Sequence, residues 1–270
     1  MPQKRNHHVF NAFIIATTLS VFLVLSMGCS KSSQFPTTNT STGSDNQSSG
    51  STAPTDPGST TTPGTDTPGT TEPTPPVSSY KMTALAWETS TKPERTKWSL
   101  YLQDILLNKW NSLLAGADDI ETFCPKYYKL DNDQRANAWA ALFVGVAKFE
   151  SGYDPTMRFH ESTMGTDGIT GQPVYSEGLL QLSYQDIQGY PFCDFDWNKD
   201  KNLSVKDPKK DVLDPYKNLY CGVGIMAKII SRKGQITVSS GAYWSTLRSG
   251  GRYQHISEIA AIVKKLPFCN

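Results

Sequence analysis

Glu150 is where a chemical reading of the chain begins. It closes the apolar, Ala-rich run from Ala140 to Phe149 and is followed by Ser151, Gly152 and, after two more residues, Pro155. Gly and Pro at those positions end a helix. A carboxyl at the carbonyl end of a buried helix has two reasons to keep its proton: burial disfavours the charged form, and the negative end of the helix dipole adds to that. A carboxyl still protonated near neutrality can serve as a general acid, which opening a glycosidic bond requires. A Glu near a helix end is common, so the reading needs further residues.

Those residues form four motifs in order. They are Glu150-Ser151-Gly152-Tyr153-Asp154-Pro155, Gly178-Leu179-Leu180-Gln181-Leu182, Asp214-Pro215-Tyr216-Lys217-Asn218-Leu219 and Ala242-Tyr243. The series resembles that of soluble lytic transglycosylases and goose-type lysozymes, in the lysozyme-like superfamily. The resemblance implies a mainly helical (α+β) domain with a small β-hairpin lobe that cleaves the β-1,4 bond between N-acetylmuramic acid and (N-acetyl)glucosamine. It also implies that Glu150 is the acid, that Gln181 lines the cleft, that Tyr243 orients the acid, and that Asn218 supports a helix.

The sequence departs from the transglycosylase pattern in its long interval between Glu150 and Gly178, in Glu177 standing just before the Gly178 turn, and in Ala242-Tyr243-Trp244 replacing Ala-Tyr-Asn. In a transglycosylase the sugar's own hydroxyl attacks; in a lysozyme water does, usually helped by a second carboxylate. The interval supplies Glu161, Asp167 and Glu177. Glu177 is the expected second carboxylate because it adjoins the cleft turn, with Glu161 as the alternative, while Asp167 reads as a turn residue. These departures leave transglycosylase and hydrolase both open, and they leave room for a modified, for example deacetylated, glycan. Ser176, Tyr184 and Tyr153 are candidate sugar contacts, because hydroxyls bond sugar oxygens and aromatic rings pack on the apolar faces of sugars.

Asp196, Asn198, Asp200, Asn202, Ser204 and Asp207 fall at positions 1, 3, 5, 7, 9 and 12 of an EF-hand-like loop, but Lys201 replaces the turn Gly and Asp207 the longer Glu. No metal or other cofactor is therefore expected, with a structural calcium as the lesser option. Cys124, Cys193, Cys221 and Cys269 make an even set without metal-ligand spacing. Of the three pairings four cysteines allow, the favoured one joins Cys193 to Cys221 and Cys124 to Cys269.

Apolar spacing predicts the elements that hold these residues. One helix spans Trp98 to Leu114 with Gly116 as its stop. A second runs from Asp133 to Phe149 with Trp139, Leu142, Phe143 and Val146 as its stripe. A third covers Asn218 to Arg232 before Gly234, and a fourth Ser257 to Lys265. Met157 to Tyr175, with its Gly-rich centre, reads as a β-hairpin.

Upstream, Lys4 and Arg5 precede an apolar run to Met27 that ends at Gly28-Cys29. Residues 1–29 thus read as a signal peptide with a lipobox and Cys29 as the lipidation site. Residues 30–79 are almost wholly Ser, Thr, Pro, Gly and small polar residues and read as a disordered linker. Residues 80–270 form the lysozyme-like domain. A net charge of +1 gives no footprint for nucleic acid. The expected protein is a monomer, lipid-anchored on the periplasmic side of the outer membrane or secreted, with peptidoglycan glycan strands as its partner. The alternative is a catalytically inert lipoprotein that binds glycan or another envelope protein.

Overall fold

The computed structural model describes residues 80–270; the expected signal peptide, Cys29 and the expected linker lie outside the described residues. Within them the fold is mainly helical with one two-stranded antiparallel sheet. The elements run α1 (Glu94–Asn108), α2 (Asn132–Ser151), β1 (Arg158–His160), β2 (Tyr175–Glu177), the single turns α3 (Asp186–Gly189) and α4 (Trp197–Asp200), then α5 (Pro215–Lys233) and α6 (Ile256–Val263). No helix among the described residues is long and apolar enough to cross a membrane.

Helix α2 organises the domain. Asp131 accepts the backbone N–H of Gln134 while the Gln134 side chain accepts the Asp131 N–H, a capping box that fixes the helix start. Every residue from Ala136 to Ala147 is buried, so the helix lacks the polar face that a single apolar stripe implied. A helix apolar all round belongs inside a core; α1 and α6 pack against it. Trp139 donates its indole N–H to the Tyr127 hydroxyl at 2.8 Å, and that hydroxyl bonds the carbonyls of Leu113 and Leu114.

Two helix ends differ from the sequence expectation. The first predicted helix is two pieces: the amides of Lys109 and Trp110 both bond the Ile105 carbonyl, ending α1, and a 3-10 turn over Asn111–Ala115 continues to Gly116. Helix α5 begins at Pro215, three residues before Asn218, because Asp214 caps the amides of Tyr216 and Lys217 and Pro needs no amide partner at the first position. The disulfides pair Cys124 with Cys269 and Cys193 with Cys221, as favoured.

Asn218 of α5 braces the turn that follows β2. Its amide nitrogen donates to the carbonyls of Glu177 and Val212, and its oxygen accepts the Leu180 amide at 2.8 Å. Gly178 makes that approach possible: its φ is +81°, and a Cβ there would lie 2.3 Å from the Asn218 amide nitrogen and 2.7 Å from the Val212 carbonyl oxygen. Gly178→Ala is expected to cost about 2 kcal/mol or more of folding stability, through strain and overpacking, read as a lower urea midpoint with unchanged slope.

Candidate active site

Glu150 is the penultimate residue of α2. The helix ends because Gly152, at φ +62°, takes the left-handed conformation and donates to the Ala147 and Lys148 carbonyls. Ser151, buried beside Glu150, donates to the Ala147 carbonyl and to the Leu179 carbonyl, each at 2.9 Å, tying the helix end to the Gly178 turn. Nothing in the sequence pointed to this brace beyond the place of Ser151 in the first motif.

The Glu150 carboxylate accepts the Thr246 hydroxyl at 2.7 Å. Burial pushes its pKa above the ordinary carboxylate range. The Thr246 hydroxyl and amide pull it down, the charge of Glu161 pushes it up, and His255 pulls it down. His255 lies stacked on Phe149, ring centroids 4.1 Å apart, and its Nδ1 is 3.1 Å from Glu258. Thr246 and His255 were not singled out in the sequence, because both lie beyond the last motif on a segment without periodicity.

The hairpin divides the remaining carboxylates between two faces. Arg158 pairs with Glu177, Phe159 with Ser176 and His160 with Tyr175, and alternate residues point to opposite sides of a strand. One face carries Phe159 and Ser176, and the Ser176 hydroxyl donates to Glu161 at 2.6 Å. The other carries Arg158, His160, Tyr175 and Glu177. Here Arg158 Nε is 2.9 Å from Glu177 Oε1 and its guanidinium lies over the Tyr175 ring. Glu177, expected opposite Glu150, is therefore committed to an ion pair on the reverse face. Burial pushes its pKa up against the pull of Lys210 and Arg158. Glu161 is the carboxylate electrostatically coupled to Glu150.

Other expected contacts also shift. The Tyr243 hydroxyl donates to Asp186 at 2.6 Å, so the direct bond to the acid comes from Thr246 instead. Burial pushes both Tyr243 and Asp186 upward in pKa. Tyr184 is buried, and its hydroxyl bonds Asp200 at 2.9 Å, which removes it from a sugar-facing surface. Gln181, at φ +50°, spends its amide on the Gly178 and Met157 carbonyls and so shapes the turn. Tyr153 packs edge-on against Trp87 with Arg95 over its ring. Phe159, which the sequence reading placed only as a hairpin residue, is 61% exposed beside Ser176.

The EF-hand-like segment folds as a helical turn rather than a ligand loop. Asp196 caps the amides of Asn198 and Lys199, Asp200 turns inward to Tyr184 and the Asp211 amide, Asn202 is exposed, and Asp207 caps Lys209. Their side chains are spent on separate local bonds and do not converge. Among the described residues no three His, Cys, Asp or Glu side chains are grouped to hold a metal ion.

No family model and no curated protein matches the chain. Solved structures of DslA from Bdellovibrio do. The wild-type form is 29% identical with a TM-score of 0.58, over 71% of this chain and 100% of that one. A Glu-to-Gln mutant of DslA is 31% identical with a TM-score of 0.53, over 66% of this chain and 93% of that one.

Because its pKa is raised in the folded state, Glu150 is protonated on both sides of unfolding at low pH and destabilises the fold as pH rises above the unfolded value. Glu150→Gln is therefore expected to raise Tm at pH 7, by about 2–4 °C for each kcal/mol relieved, and to lose that advantage near pH 3. Thr246→Val, which removes a donor to the ionised form, is expected to move the Glu150 pKa further up in a carboxyl-carbon NMR titration.

Proposed function

This chain and DslA belong to one family, and on that footing we propose that it is a lysozyme-type hydrolase of the β-1,4 bond between N-acetylmuramic acid and (N-acetyl)glucosamine in peptidoglycan. Glu150 is the general acid and Glu161 the second carboxylate. One observation carries the reading. The DslA structures include Glu-to-Gln mutants at two glutamates eleven residues apart, and Glu150 and Glu161 have that same separation. In this chain the two are also coupled across the site.

The chemistry follows from their surroundings. Half-buried Glu150, at the carbonyl end of α2, delivers its proton to the glycosidic oxygen as the bond opens. Glu161, fixed by Ser176, assists the water that takes the leaving sugar's place, which yields a reducing terminus. A transglycosylase, in which the sugar's own hydroxyl attacks, has no use for a carboxylate held there. Exposed Phe159 offers an aromatic face on the same side of the hairpin, suited to the apolar face of a sugar ring.

Two disulfides suit an oxidising compartment, in keeping with export, lipidation at Cys29 and a linker that lets the domain reach the wall from the outer membrane. An inert glycan-binding lipoprotein is the rival reading. It has no need of a buried proton donor.

Glu150→Gln is expected to lower muropeptide release from sacculi by at least about 10²-fold, with both acetylated and deacetylated sacculi assayed. Equal release by wild type and variant would falsify the catalytic reading. Mass spectrometry of wild-type products is expected to find reducing ends; anhydro ends would return the enzyme to the transglycosylases. Glu161→Gln is expected to lose far more activity than Glu177→Gln, and the reverse order would restore Glu177 as the second carboxylate.

A further inference from the structure

A cavity of about 240 Å³ lies on the reverse face of the hairpin, lined among others by Arg158, Tyr175, Glu177, Trp197, Lys201 and Lys210. Its charges are unequally satisfied. The carboxylates that line it are engaged: Glu177 by Arg158 Nε, and Asp167 by the amides of Ile169, Thr170 and Gln185. Behind Tyr184, one oxygen of Asp200 takes the Tyr184 hydroxyl and the Asp211 amide, while its other oxygen is buried without a hydrogen bond.

The cations are less engaged. Lys210 is only 5% exposed, and its ammonium has no acidic oxygen within 4.0 Å and no hydrogen bond; its charge acts on Glu177 from beyond that distance, and its Nζ lies 5.9 Å from the Trp197 ring centroid. Arg158 uses Nε on Glu177 and lays its guanidinium on Tyr175, leaving its two terminal nitrogens without a bond. An ammonium without a hydrogen bond and the free edge of a guanidinium in one cavity form a receptor for a carboxylate. Tyr175, Trp197, Pro173 and Leu203 supply apolar wall.

We propose that this cavity is a subsite for a carboxylate of the short peptide borne by muramic acid, held by Lys210 and Arg158. The proposal rests on the peptidoglycan reading above. The geometry suits it, because the peptide leaves the same sugar whose bond is cleaved on the opposite face of the hairpin. Peptide-bearing strands would then be preferred over bare glycan.

The test titrates the full-length chain with the free stem tetrapeptide, with the same peptide amidated at its carboxylates, and with inorganic phosphate, followed by NMR shifts of the Trp197 indole. The free peptide is expected to bind, the amidated one at least about tenfold more weakly, and Lys210→Met to weaken the free peptide by about tenfold or more. Should Lys210→Met fail to fold, Lys201→Ala at the rim is expected to weaken binding by a smaller factor. No peptide binding, equal binding of the amidated peptide, or phosphate binding as tight as the peptide would each overturn the subsite. In parallel, Lys210→Met is expected to reduce the KM preference for peptide-bearing over peptide-free strands, and an unchanged preference counts against the proposal. Peptide binding needs no turnover, so the two readings fail separately. Binding without glycan cleavage overturns the catalytic reading and supports the subsite; cleavage without peptide binding does the opposite.

Discussion

Helix α2 is buried on every side along its middle, and the way it ends governs the rest of this structure. Its last turn leaves carbonyl groups without helical partners. They are met by the left-handed Gly152 and by Ser151, which reaches back to Ala147 and across to Leu179. Leu179 belongs to the turn after β2, and that turn is clamped from the other side by Asn218 on α5. One set of backbone groups thus joins the central helix, the hairpin and α5 around Glu150. Glu150 therefore sits on rigid elements, half-buried at the end of a buried helix.

Much of this was legible in the sequence. A 17-residue stretch with Trp139, Leu142, Phe143 and Val146 at helical spacing, closed by Gly152 and Pro155, marks both the helix and its end, because helix period and helix stops are local properties. Of the three pairings that four cysteines allow, the sequence could only favour one, and the favoured pairing is the one observed. What the sequence could not carry was direction. Glu177 and Ser176 are neighbours, and a strand sends neighbours to opposite faces; which face meets Glu150 depends on how the hairpin packs. Tyr184 read as a surface aromatic and is core, and Tyr243 read as the partner of Glu150 and serves Asp186. Thr246 lies four residues past the start of the last motif, on a segment with no pattern to flag it.

The reverse face of the hairpin explains why Glu177 looked catalytic. It is a carboxylate next to a cleft-forming turn, and burial raises its pKa much as it does that of Glu150. The difference lies in partners. Glu177 has a guanidinium at hydrogen-bond distance, and a buried carboxylate paired in this way resists losing its partner, since an unpaired charge would remain. Glu150 has only a hydroxyl and an amide from Thr246, groups that hold a carboxyl in place in either protonation state. A group that must give up a proton is better served by such partners than by a fixed cation.

The long interval between Glu150 and Gly178 brings an obligation with it. An inserted loop that carries the carboxylate proposed to assist water has to be held still, or its charge is spread over many positions. Residues 161–174 meet this with few apolar contacts of their own. The Glu161 amide bonds the Val174 carbonyl, and the Glu161 side chain takes the Ser176 hydroxyl. Further along, Asp167 gathers the amides of Ile169 and Thr170 within the loop and that of Gln185 outside it. The residue that read as a plain turn former is therefore a tie between the hairpin tip and the segment leading into α3, where Asp186 in turn receives the Tyr243 hydroxyl. Polar bonds at both ends of the insertion do what a hydrophobic core would do in a longer lobe, and they leave Phe159 beside Ser176 exposed.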